Sequence, residues 1–134
     1  HAPARTGAPG PDISYQLLIA LCEPVFFDIG ALGRRVLSVG YYCYTGSARR
    51  NLVARIVRHL RREKTVCWHI DYLLLAAAAH VDTVLRSAQP ECAWNAATPG
   101  EILLPGFGAT DCRAGCGSHL KYQGPLNACT RVVR

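Results

Sequence analysis

Methionine is missing from all 134 residues, so the chain as written has no initiator and the sequence does not give its native start. Acidic side chains are scarce. Nine Asp and Glu stand against 15 Lys and Arg, for a net charge of +6, which fits a polyanionic partner. Long apolar runs are also missing: nothing approaches the ~20 residues needed to cross a bilayer. Leu17–Cys22 is too short for a secretory core, Glu23 ends it, and Leu21 is too large to precede a lipoprotein cysteine. The seven cysteines make an odd number, which excludes a fully paired disulfide framework within one chain. Cys22 and Cys43 lie in apolar runs and read as buried free thiols of a reducing compartment, so a soluble cytoplasmic protein is expected.

Half of the residues are hydrophobic and 18% are charged, which favours a packed globule over a disordered chain. The length suits one domain. Residues 1–12 hold three of the eight prolines and read as a flexible leader or cloning remnant. The domain is expected over 13–124, with 125–134 as a tail. Tyr15–Cys22 has strand length, and Val25–Ile29 and Val36–Val39 flank a Gly-Ala-Leu-Gly turn signal that predicts a hairpin. Tyr41–Thr45 continues as a strand ended by Gly46-Ser47. Asn51 is a good N-cap, and Leu52, Val53, Ile56, Val57 and Leu60 predict an apolar helical stripe that leaves Arg55, Arg58, His59 and Arg62 mostly toward solvent. Trp68–Ala79 predicts a central helix, Val81–Arg86 a strand, and Pro90–Ala97 a short helix. Strands early and helices later imply an α+β domain with a small mixed or antiparallel sheet flanked by helices.

The most informative stretch is Gly40–Asp71, where a tyrosine-rich strand feeds a helix whose charges are almost all positive. Arg49, Arg50, Arg55, Arg58, Arg61, Arg62 and Lys64 face the single Glu63. Phosphodiester chemistry needs that combination: positive charge beside a phosphate, and an acid or base within reach.

In order, the chain reads Ile13-Ser14-Tyr15, Tyr44-Thr45-Gly46, Asn51-Leu52, then Arg55 and His59 one turn apart, then Pro90-Glu91-Cys92-Ala93. This set resembles the GIY-YIG nuclease superfamily. It is most similar to a branch of small domains of unknown function, marked by the strand end at 40–48, Trp68–Leu73, Pro105–Gly108, Asp111-Cys112 and Ser118–Leu120. The family's leading glycine is missing before Tyr15, and threonine replaces its isoleucine at Thr45. The resemblance implies a metal-dependent DNA endonuclease of the kind found in DNA repair. Tyr15, Tyr44, Arg55 and His59 would be catalytic, and Glu91 would hold Mg²⁺ or Mn²⁺.

Each residue type suits its implied role. A phenol near pKa ~10 must be depressed by cations or metal before it can take a proton from water. Arginine holds a phosphate bidentately, and a lone carboxylate suits one hydrated Mg²⁺. Arg49, Arg50, Arg58, Arg61, Arg62 and Lys64 are the expected phosphate-tracking cations. His69, Asp71, Asp111 and His119 are expected to border the site. Cys112-x₃-Cys116-x₂-His119 offers three zinc ligands at the spacing of no standard knuckle, so zinc is not the expected cofactor. Duplex or branched DNA is the expected partner. No sequence-reading element is present, which leaves specificity to a fused or partner domain. Two alternatives stay open: a non-catalytic nucleic-acid-binding module of the same fold, and a zinc-stabilised interaction domain.

Overall fold

The computed structural model describes residues 4–5, 11–29, 33–48, 50–62, 64, 69–108 and 115–126. In chain order the elements are β1 (Ala4–Arg5), β2 (Ser14–Leu21), β3 (Val25–Ile29), β4 (Gly33–Leu37) and β5 (Gly40–Ser47). There follow α1 (Leu52–Leu60), α2 (His69–Leu74), β6 (Ala79–Ser87), α3 (Glu91–Ala97) and β7 (Leu120–Gly124). Five strands form one sheet in the order β1-β6-β2-β5-β7, and β3 and β4 form a separate antiparallel hairpin. All pairings in the large sheet are antiparallel except β1 with β6. This is the expected α+β domain. Among the described residues no helix is long and apolar enough to cross a membrane.

β2 is the central strand, paired with β5 on one edge and β6 on the other. Its Leu17, Ile19 and Leu21 are fully buried, which accounts for an apolar run where a half-exposed strand would alternate. Its buried Gln16 is satisfied internally: the side-chain amide donates to the hydroxyls of Thr45 at 3.1 Å and Thr98 at 2.7 Å.

Several local expectations are corrected. The helix expected over Trp68–Ala79 ends at Leu74, and β6 begins at Ala79, opposite Leu21. Pairing with the edge of β2 overrides the helical preference of an alanine run, whose periodicity alone cannot separate helix from strand. On α1, Val53 and Val57 are exposed while His59 is buried. The inward stripe is Leu52, Ile56, His59 and Leu60, an i, i+4, i+7, i+8 series with a histidine in it. Asn51 sits in the left-handed region at φ 57° and makes no side-chain cap bond. Cys22 takes part in a disulfide, which an odd cysteine count does not reveal. Ala4–Arg5 adds a parallel edge to β6 within the stretch expected to stay outside the fold.

The pairing of β2 with β5 puts Tyr15 directly opposite Gly46. A Cβ at Gly46 would stand 2.4 Å from both Cζ and Oη of Tyr15, so the phenol lies where any other side chain would be. Gly46→Ala must push a buried aromatic ring aside. The expected loss is about 1–3 kcal/mol in urea unfolding. Unchanged stability would mean that the ring does not rest on the strand.

Candidate functional site

Four elements converge beside Gly46. β2 supplies Tyr15, β5 supplies Tyr44 and Ser47, α1 supplies Arg55 and His59, and α3 supplies Glu91. The Tyr15 hydroxyl lies 2.6 Å from His59 Nε2. The ring centroids of Tyr15 and Tyr44 are 6.4 Å apart, and that of Tyr44 is 6.2 Å from His59. Arg55 Nη1 donates to the Ser47 carbonyl at 2.5 Å, and the Ser47 hydroxyl donates to Glu91 Oε1 at 3.3 Å. Ser47 thus links the cation to the carboxylate.

Burial governs the protonation states. It pushes both phenols well above the ordinary tyrosine range; the Arg55 charge pulls both down, and Glu91 pushes both up. Burial is also the main cause that lowers His59, to about 4, reinforced by Lys64 and opposed by Asp71. At neutral pH, His59 is therefore an uncharged imidazole facing a protonated phenol. The phenol is the stronger acid of the two, so the Tyr15 O–H donates and His59 Nε2 accepts. His59 also lines a cleft of about 100 Å³ together with Arg61 and Arg62.

The cationic segment divides. Arg58 forms a two-pronged pair with the fully buried Asp71, with both contacts at 3.0 Å. Lys64 Nζ donates to the His59 carbonyl at 2.7 Å and lies 4.0 Å from Asp71. Arg62 donates to the carbonyls of Ala76 and Ala79 at 3.3 and 3.2 Å. These three expected phosphate contacts thus hold the end of α1 against α2 and β6, and Arg62 stays exposed while doing so, as Arg50 and Arg61 are. Arg49, Asp111 and Cys112 lie outside the described residues.

Of the bordering residues, His69 Nδ1 accepts the Gly108 N–H at 3.0 Å, and burial lowers its pKa. His119 is buried, and its Nδ1 meets Glu91 Oε2 at 3.0 Å. Asp71 acts through Arg58 and Lys64. One family matches residues 14–134. The chain belongs to the domain of unknown function DUF123. Neither a curated protein nor a solved structure matches it.

Within this DUF123 domain the fold brings together all five of Tyr15, Tyr44, Arg55, His59 and Glu91. The sequence reading missed Ser47, although it directly follows the Tyr-Thr-Gly run. It also missed Cys92, whose neighbours in space come from the chain far beyond it. Glu91 is the carboxylate fit to hold a cation. Its side chain is 25% exposed, and its oxygens retain lone pairs beyond those used by Ser47 and His119. Asp71, the other acid that acts on both phenols, is fully buried and paired. One hard carboxylate suits a single Mg²⁺ or Mn²⁺ that keeps most of its waters.

The lowered pKa of His59 has a signed consequence in the DUF123 domain. Above about 6.5 neither the folded nor the unfolded chain protonates this imidazole, and its contribution is fully present. Between 6.5 and about 4 the unfolded chain binds the proton and the folded one does not. Folding stability should therefore fall by up to about 3 kcal/mol as pH drops through that window. His59→Gln should flatten the decline in urea titrations at pH 7 and pH 4.5. An equally steep decline would place His59 in contact with water.

Proposed function

We propose that this chain is a divalent-metal-dependent endonuclease of GIY-YIG type that hydrolyses DNA phosphodiester bonds. The observation that carries the reading is the convergence of two phenols, an inward arginine, a neutral histidine and a partly exposed carboxylate on one strand end. Each supplies one requirement of phosphoryl transfer.

The raised phenol pKa sets the form of the base. A standing phenolate is too costly in that surrounding, so Tyr15 works as a relay. Its oxygen takes a proton from water while its own proton passes to His59 Nε2, 2.6 Å away, the negative charge of the bound phosphate offsetting the burial that otherwise keeps that imidazole neutral. The resulting hydroxide attacks phosphorus in line, and the 3′ oxygen departs. Arg55 turns from the Ser47 carbonyl to the equatorial oxygens, where its planar fork matches two of them. Glu91 would hold the divalent cation, which would supply charge neutralisation for the departing oxygen. Tyr44 borders the same space and orients the water. Arg50 and Arg61, exposed cations of the segment, track the backbone of the DNA. Choice of target falls to a fused or partner domain.

Supercoiled plasmid tests the reading. The purified chain should nick it in Mg²⁺, lose that activity in EDTA and regain it when Mg²⁺ is restored. Glu91→Gln should abolish nicking. Arg55→Lys keeps the charge but loses the fork, and should slow it by roughly 10²-fold or more. Tyr44→Phe removes only a hydroxyl and should also cut poorly. Salt-sensitive filter binding without nicking would favour the binding module instead. Equal nicking by all three variants would put the active site elsewhere.

A further inference from the structure

Cys92 on α3, and Cys116 and His119 on the segment entering β7, bring their ligand atoms within 4.8 Å of one another. The Sγ of Cys92 lies 3.9 Å from His119 Nε2. The other ring nitrogen, Nδ1, meets the Glu91 carboxylate at 3.0 Å. A histidine that donates one N–H to a carboxylate has its tautomer fixed and its second nitrogen left as a lone pair, which is how metal-bound histidines are held. This ring is firmly seated. His119 is 2% exposed, its backbone N–H donates to the Phe107 carbonyl at 2.9 Å, and its backbone carbonyl accepts the Thr45 N–H at 3.0 Å. Asn95, on the same helix as Cys92, donates to the Ser118 carbonyl at 2.9 Å and ties α3 to this segment. Gly115 and Gly117, at φ 73° and 77°, make the turns that carry Cys116 back toward the helix.

We propose that Cys92, Cys116 and His119 bind one zinc ion, a structural clip between α3 and β7 that stands whether or not the chain cuts DNA. Two sulfurs and an imidazole form a soft to borderline donor set, which selects Zn²⁺ over Mg²⁺. Ligand atoms around a tetrahedral zinc stand about 3.6 Å apart, so the observed spread needs to close by about an ångström. Neither cysteine is in a disulfide. On binding, each Sγ–H bond breaks, each sulfur forms a bond to zinc, and the two protons leave to solvent. A further donor fills the fourth corner. The same ion fixes the ring against which Glu91 rests, so the clip orients the carboxylate of the neighbouring site.

The test is metal content of the full chain, purified in reductant and dialysed against trace zinc. About one zinc per chain is expected, lost in Cys92→Ser and in Cys116→Ser and kept in Cys43→Ser, whose thiol is buried elsewhere. Glu91→Gln should weaken zinc binding about 10–100-fold, the usual effect of losing an outer carboxylate. Should either cysteine variant fail to fold, cobalt substituted into the wild type decides. Sulfur-to-cobalt charge-transfer absorption with the visible bands of tetrahedral cobalt supports the site. Wild type without stoichiometric zinc, folded cysteine variants that retain it, or a cobalt spectrum without the sulfur band overturns it.

Discussion

The contact on which the rest depends is the seating of the Tyr15 ring on Gly46, with its hydroxyl against His59. It requires a strand residue without a side chain, a phenol directly across the ladder and a histidine on the inward stripe of α1. Remove the close approach, and the phenol, the imidazole and Tyr44 no longer share one space. The catalytic reading therefore rests on a backbone constraint before it rests on any charge. Gly108, at φ 66°, makes a comparable concession to Tyr44, whose Cε1 would lie 3.1 Å from a Cβ there.

Charge is distributed in two tiers around that contact. Arg58 and Lys64 neutralise buried Asp71 and join α1 to α2, an arrangement that costs several kcal/mol when one partner of such a pair is removed. Arg55 instead reaches the strand end, where its field opposes the desolvation of both phenols. Net charge alone does not distinguish these uses. A helix that reads as one cationic face is in part an internal brace and in part a presented surface.

The two strands of the central pairing were legible one by one, and their pairing, β2 with β5, belongs to the fold. Tyr15 and Tyr44 sit on apolar, β-branched or aromatic runs of strand length, and those strands are neighbours. Glu91 was legible as a first-turn residue after Pro90. His59 was harder to place, because a polar type at an i+7 position reads as solvent-facing until its burial is known. The fates of Arg58, Arg62 and Lys64 depend on Asp71 and on carbonyls of the turn before β6, contacts between segments that no local spacing encodes. Cys92 belongs to the same class: its partners lie across the fold, on the segment entering β7. The end of α2 was misjudged because alanine favours helix while the free edge of β2 demanded a strand.

The site depends on the hydrogen bond from the Tyr15 hydroxyl to a neutral His59, and the ¹⁵N shifts of the His59 ring test it most directly. A neutral imidazole is expected at pH 7, protonated on Nδ1 and accepting at Nε2, that gains no second proton until the pH nears 4. Titration near the ordinary value of about 6.5, or a ring protonated on Nε2 at neutral pH, would contradict it.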